Sequence, residues 1–275
     1  MTASEDKPTA GKAGARALTA RVYSALSPSG RDHFAADRET AAALEETIPG
    51  MRLIAQSNKH CLRRMLAYAV ELADPAMPPQ VLDIGAGLPD QPPALHEVAH
   101  RVRPDSRVVY VDHDLQVYVH GRALLRGDGV DMVQADLRKP SQLLAAVEET
   151  GLIDRSRPVI IVLGAVLHFL NDEQAEEALA ELRDSHAAGS LLLVTHATSD
   201  VPYTRDQIEV ARSLYEQKTG QELYLRTGRR IAALLLPWGP LHPPGLQPTE
   251  AWYPDYATEM VQPAPYFLAG VAGPR

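Results

Sequence analysis

Between residues 81 and 196, five short apolar runs alternate with segments of helical spacing, and nothing else in the chain restricts its fold as tightly. The runs occupy 81–84, 107–112, 131–136, 159–164 and 190–196. Leu95, Val98, Ala99 and Val102 mark one helical face between the first two, and Ala175, Ala178, Leu179 and Leu182 mark another before the fifth. Further helices are expected over 114–125 and from about Pro140. Strands that alternate with helices lie parallel in one sheet, because every connection must cross back, and the helices cover both faces. The expected architecture is α/β, with a mostly parallel sheet.

Three helices precede the first strand. Leu18, Val22 and Leu26 share one face of the first, which stops at Pro28-Ser29-Gly30. The second is expected over 34–47, ending at Pro49-Gly50, and the third over 51–73. Residues 1–14 bury too little apolar surface to order themselves. The expected organisation is a tail at 1–14, a helical cap at 15–77 and the sheet domain at 78–275. A helix is expected over about 205–218, and residues 237–265 hold eight prolines, which suit a segment that wraps a sheet edge or covers a site. Residues 266–272 are expected to form the last strand.

Charge and cysteine content narrow the class of protein. There are 27 Lys and Arg against 35 Asp and Glu, and no basic run that could neutralise a phosphate backbone, which argues against a nucleic-acid partner. The single cysteine, Cys61, allows no intramolecular disulfide and is expected to be a small buried hydrophobe. The apolar stretch 158–170 is interrupted by Gly164 and His168 and falls short of the ~20 residues of a membrane span. With no secretory signal legible at the amino terminus, a cytoplasmic location is expected.

The chemistry gathers at three strand ends. VLDIGAGLP at 81–89 follows the first strand, Asp112 ends the second and Asp136 ends the third. In a doubly wound sheet a ligand lies beyond the carboxyl ends of the strands, so these positions converge. Gly85 and Gly87 let the backbone approach a ligand, Asp112 can accept from both hydroxyls of a ribose, and Asp136 could read the exocyclic amine of adenine. A dinucleotide fingerprint needs a third glycine, where this chain has Asp90, whose charge would repel a pyrophosphate. S-adenosylmethionine carries no phosphate, and its cationic groups suit Asp83. That molecule is the expected cofactor.

His168 and His196 sit at the ends of the fourth and fifth strands, where a general base would be needed, and either could instead pack locally. Tyr23 and His33 are candidate substrate contacts from the cap. His96-Glu97-Val98-Ala99-His100 matches a zinc-binding signature, but no third ligand follows at a suitable spacing, so no metal is expected. Lys59, Arg63 and Arg64 read as a solvated helix face. Trp238, Trp252, Tyr253 and Tyr256 could line an aromatic pocket or pin the proline-rich segment to the sheet.

The chain resembles the actinobacterial S-adenosylmethionine-dependent methyltransferases once catalogued as a domain of unknown function. The likeness is carried by ARVYSAL at 20–26, HFAADRE at 33–39, VLDIGAGLP at 81–89, HEVAH at 96–100, RVVYVDHD at 107–114, ADLRKP at 135–140, AVLHFL at 165–170 and VTHAT at 194–198. It implies a Rossmann-like class I methyltransferase fold with an amino-terminal helical cap. It also implies that Asp83, Gly85 and Gly87 hold the methionine end of the cofactor, Asp112 the ribose and Asp136 the adenine, with Ala165 and Val166 lining the pocket. The family pattern has an aspartate and a glycine pair after the tyrosine, then Asn-Phe. Here Tyr23-Ser24 leads to Pro28-Ser29-Gly30, and His33 precedes Phe34. The leading expectation is methyl transfer to an oxygen or nitrogen of a small molecule in secondary metabolism. A non-methylating elimination or cyclisation on the same scaffold, and a silent subunit that needs a partner, stay open, as does assembly into a homodimer.

Overall fold

The computed structural model describes residues 16–28, 30–89, 92–253 and 266–274. The expected tail at 1–14 and Tyr256 lie outside them. Three helices come first, α1 (Thr19–Leu26), α2 (Ala35–Thr47) and α3 (Met51–Leu72). The alternating part follows as β1 (Gln80–Ile84), α4 (Leu95–Val102), β2 (Arg107–Asp112), α5 (Leu115–Leu124), β3 (Val130–Gln134), α6 (Pro140–Glu148), β4 (Ile160–Gly164), α7 (Asp172–Asp184) and β5 (Leu191–Ala197). The chain closes with α8 (Arg205–Thr219), α9 (Gly228–Leu235), β6 (Gln247–Pro248) and β7 (Phe267–Ala272).

The seven strands lie in the order β3-β2-β1-β4-β5-β7-β6. The first five are parallel, while β7 runs antiparallel to β5 and β6 antiparallel to β7. Strand order reverses between β1 and β4, and a crevice opens there beyond the carboxyl ends.

Alternate residues of each central strand enter different cores, which explains why the runs read as continuously apolar. Leu82, Ile84, Ile161, Leu163, Leu192 and Val194 pack with α6, α7 and α9 on one face. Val81, Val108, Ile160, Val162, Leu191 and Leu193 pack with α3, α4 and α5 on the other. A third cluster joins α1 and α2 to Ala211, Tyr266 and Phe267, so the amino-terminal helices are seated on α8 and the start of β7.

Three local outcomes differ from expectation. Strand β3 ends at Gln134, two residues before Asp136, although Ala135 N–H still donates to Asp112 O at 3.0 Å. Helix α9 lies outside the expected elements, although Thr227 caps it by accepting the Arg230 N–H and Ile231, Leu234 and Leu235 recur on its buried face. Arg64 is buried rather than solvated. Its Nε donates to Trp252 O at 2.9 Å and its Nη2 to Thr249 O, while Tyr68 stacks on Tyr253 at 5.3 Å. Together they pin the proline-rich segment to α3, and that segment supplies β6 at the sheet edge, where Pro248 removes no internal ladder bond. Cys61 is fully buried, and burial pushes its thiol up to about 12.

Candidate functional site

A mostly apolar cavity of about 350 Å³ fills the crevice between the sheet ends and the amino-terminal helices. Its floor begins where β1 turns. Gly85 takes φ +77°, and both its N–H and that of Ala86 donate to Val111 O, at 2.7 and 3.1 Å. A Cβ on Gly85 would lie 2.2 Å from Val166 Cγ2, so only glycine fits between the two loops. Gly87, at φ +66°, has open space where its Cβ would be, and donates its N–H to Asp112 Oδ2 at 3.0 Å.

Asp112 Oδ1 accepts from the Asp114 N–H at 2.9 Å and lies 3.5 Å from His113 Nδ1. Oδ2, which accepts only the Gly87 N–H, keeps a lone pair for a ligand. The bond to Asp112 raises the pKa of His113 against the opposing effect of burial. Asp83 is buried at the cavity floor and receives no hydrogen bond among the described residues. Burial first, and then the charge of Asp112, raise its carboxyl to about 7. Asp136 is held in a fork by Arg138, with Nε 3.0 Å from Oδ1 and Nη2 2.8 Å from Oδ2. Partial burial opposes its ionisation, but the bonds and charge of Arg138 prevail and keep it below the ordinary carboxylate value.

Across the cavity, Ala165 adopts φ +57°, rare for a residue with a side chain, and its N–H is fixed by Thr195 O and Thr195 Oγ1, both at 3.0 Å. This bend sets Val166 against Gly85 and starts the short turn that carries His168. The cavity is thus bordered by Asp83, Gly85, Gly87, Asp112, Asp136, Ala165, Val166, His168 and Tyr23 of the expected residues.

His33 and His196 do not border it. His33 reaches Gly30 O with Nε2 at 3.2 Å and lies 3.4 Å from Arg38 Nη1. His196 is fully buried, its Nδ1–H donating to Ala197 O at 2.7 Å and its Nε2 accepting from Arg226 Nη1 at 2.8 Å. Burial lowers its pKa to about 4, with the Ala197 bond opposing and the Arg226 charge adding to the effect. With both nitrogens engaged, the expectation of a base at His196 is corrected to a packing role. His168 is also buried, with Nδ1 3.5 Å from the Ala197 N–H. Burial, then His196 and Arg226, hold its pKa well below 6.5.

The zinc-like motif is absorbed by the fold. Glu97 Oε2 accepts the Ala94 N–H at the start of α4, His96 Nδ1 lies 3.0 Å from the Tyr110 hydroxyl, and His100 Nε2 lies 3.0 Å from Ser106 O. Among the described residues no three His, Cys, Asp or Glu side chains are grouped to hold a metal ion. Treatment with a chelator is expected to leave the melting temperature within about 1 °C, since no bond above needs a metal. A larger fall, reversed by adding zinc, would reinstate the motif as a metal site. Asn58, His113, Arg138 and Arg226 were not found by sequence reasoning. Only the run of polar residues beside Asp112 and Asp136 could have pointed to two of them.

A sheet of this order, with a glycine turn and an acidic residue on adjacent strand ends, defines a nucleoside-binding α/β enzyme of the methyltransferase class. The chain belongs to the S-adenosyl methyltransferase family, whose model matches residues 10–274. It is similar to a Thermobifida fusca YX protein described as a candidate methyltransferase, with 32% identity over 96% of this chain and 97% of that one, at a TM-score of 0.82. A DUF574 family protein from Streptomyces avermitilis MA-4680 shares 29% identity over 94% and 98%, at a TM-score of 0.83. The mitomycin 7-O-methyltransferase MmcR shares the fold, at 18% identity over 80% and 55% and a TM-score of 0.50. None of the curated proteins matches this chain significantly. The chain is a methyltransferase that uses S-adenosylmethionine.

The residues present suit that cofactor. A turn with glycine at 85 and 87, a carboxylate with a spare lone pair and a buried carboxyl that no donor reaches among the described residues fit a nucleoside joined to a cation. Among the described residues no helix is long and apolar enough to cross a membrane.

Proposed function

We propose that the protein methylates an oxygen or nitrogen of a small molecule of secondary metabolism. S-adenosylmethionine supplies the methyl group. The observation that carries the reading is the Asp112 carboxylate, oriented by the Gly87 and Asp114 N–H groups beside a turn that only glycine can make. In this reading Asp112 accepts from the ribose hydroxyls and Asp136, at the end of its fork with Arg138, faces the adenine amine. The Gly85 to Gly87 turn lies along the methionine end, Asp83 faces its positive charge, and Ala165 and Val166 close the opposite wall.

Tyr23 and His168 border the remaining space, where the acceptor belongs. With Nδ1 turned to the Ala197 N–H, the ring proton of neutral His168 sits on Nε2. His168 then orients an acceptor lone pair by donating to it, and rate comes from alignment rather than proton removal. Strand β4 leads through Gly164 into Ala165-Val166, without the Asn/Asp-Pro-Pro-aromatic sequence that holds a nucleic-acid amino group, which supports a small-molecule acceptor.

Calorimetric titration with S-adenosylmethionine tests the reading. Micromolar binding is expected, and Asp112→Ala is expected to weaken it about tenfold to a hundredfold, the value of hydrogen bonds to a charged group. Equal affinity in the variant would show that the ribose lies elsewhere. Failure of the wild type to bind would leave the scaffold to non-methylating chemistry.

A further inference from the structure

We infer that Asn58 is the hydrogen-bond acceptor that selects an aromatic substrate bearing a hydroxyl or amine. The role of that substrate as methyl acceptor rests on the reading above; its binding does not.

Met51, Ile54, Ala55, Asn58 and Leu62 recur at three- and four-residue spacing along α3, and all five border the cavity. Lys59 and Arg63 lie at the edge of this stripe. Asn58 is the polar interruption in an apolar face, and it is only 2% exposed. Leu62, one turn further, packs on Gly164, where a Cβ would lie 2.5 Å from Leu62 Cδ1. The Asn58 turn of α3 therefore stands over the end of β4, beside the Ala165 bend.

The orientation of the amide is determined by its neighbours. Tyr23 donates its one hydroxyl proton to Ala55 O at 3.1 Å, so the same oxygen must accept from Asn58 Nδ2, at 2.7 Å. Asn58 Oδ1 is then directed away from Tyr23 and has no hydrogen-bond partner among the described residues. A buried amide oxygen held in place without a donor is complementary to a ligand that brings one. An ether, a carbonyl or a carboxylate at that point would leave two acceptors facing each other.

The remaining wall is aromatic. Two of the three phenylalanines in the chain, Phe169 and Phe267, border the cavity, together with Tyr215 and Tyr266. Phe169 lies 4.5 Å from the His168 ring and stacks on Tyr215 at 6.2 Å and 23°. In a chain with only 5% aromatic residues, this concentration favours a flat ring system over an aliphatic chain.

The test compares 2-naphthol with 2-methoxynaphthalene by calorimetry, on the protein alone and on protein saturated with S-adenosylhomocysteine. The wild type is expected to bind 2-naphthol about tenfold more tightly or better, because only the naphthol satisfies Oδ1. Asn58→Leu, which keeps the volume and removes the acceptor, is expected to abolish the preference while affinity for S-adenosylhomocysteine changes less than about twofold. Equal binding of the two probes by the wild type, binding of neither, or a preference that survives in Asn58→Leu would overturn the inference. The wild-type comparison needs no variant to fold. Loss of cofactor binding with an intact naphthol preference would sink the methyl-transfer reading and leave this one standing.

Discussion

Arg226→Met is expected to lower the unfolding free energy by about 3 kcal/mol, measured as a fall in the urea midpoint with an unchanged slope. Arg226 is 5% exposed and holds five groups at once, Tyr224 O the most distant at 3.5 Å from Nη1. Nε donates to Asp172 Oδ1 at 2.7 Å, Nη1 to Leu167 O at 3.0 Å and His196 Nε2 at 2.8 Å, and Nη2 to Leu170 O at 2.7 Å. Methionine fills a similar length of the site and supplies none of these donors. The Asp172 side chain is 55% exposed and regains water, so its loss of partner costs little. The Leu167 and Leu170 carbonyls and the imidazole nitrogen are buried, and each stranded acceptor costs roughly 1 kcal/mol or more.

Those carbonyls bracket the turn bearing His168, so the variant is also expected to turn over more slowly, not merely to unfold sooner. Arg230→Met is the matched control, because Arg230 pairs with the exposed carboxylates Asp172 and Glu176. Its cost is expected to be within about 1 kcal/mol. Equal losses in the two variants would mean that Arg226 acts only as a surface charge.

The alternation that specified the sheet was legible because each central strand is covered on both faces. Leu82 and Val81 enter opposite cores, and a strand buried on both sides must be apolar throughout. Gly85 and Asp112 were legible for a related reason. A turn pressed against Val166 and a carboxylate at a strand end are imposed by backbone geometry, which leaves a local trace in sequence.

The two histidines were not separable in this way. His168 follows β4 and His196 is the last residue but one of β5, and only Arg226, thirty residues beyond His196, decides that His196 is consumed by packing while His168 borders the cavity. Asn58 looked like an ordinary polar residue in a helix, since its orientation depends on Tyr23, thirty-five positions away. Long-range pairing of this kind has no signature in spacing or composition. The zinc-like motif shows the converse, a strong local pattern in which Glu97 is bound by a helix end, His96 by a tyrosine and His100 by a backbone carbonyl.

The stability of the cofactor-free protein is expected to fall as pH rises from about 4 to about 7, and Asp83→Asn is expected to remove that part of the slope. Asp83 titrates near 7 in the folded protein because it is buried and lies beside Asp112. In the unfolded chain it titrates near the ordinary value of about 3.9. Between those values the folded state holds a proton that the unfolded state has released, so raising the pH favours unfolding. The favourable contribution is complete below about pH 4 and lost as pH rises through about 7.

A displacement of about three pH units corresponds to roughly 4 kcal/mol as an upper bound, and asparagine, neutral throughout, should make the empty protein more stable near pH 8 by up to that amount. Cofactor binding should reverse the balance. A cation placed against Asp83 favours the carboxylate, so binding near pH 6 should release a proton, seen as a dependence of the binding heat on the ionisation heat of the buffer. Affinity should rise up to tenfold per pH unit until about pH 7 and then level off. Asp83→Asn should bind more weakly, with neither proton release nor this pH dependence. If the variant keeps the wild-type pH profile, Asp83 is already ionised in the empty cavity and the positive end of the cofactor lies against another group.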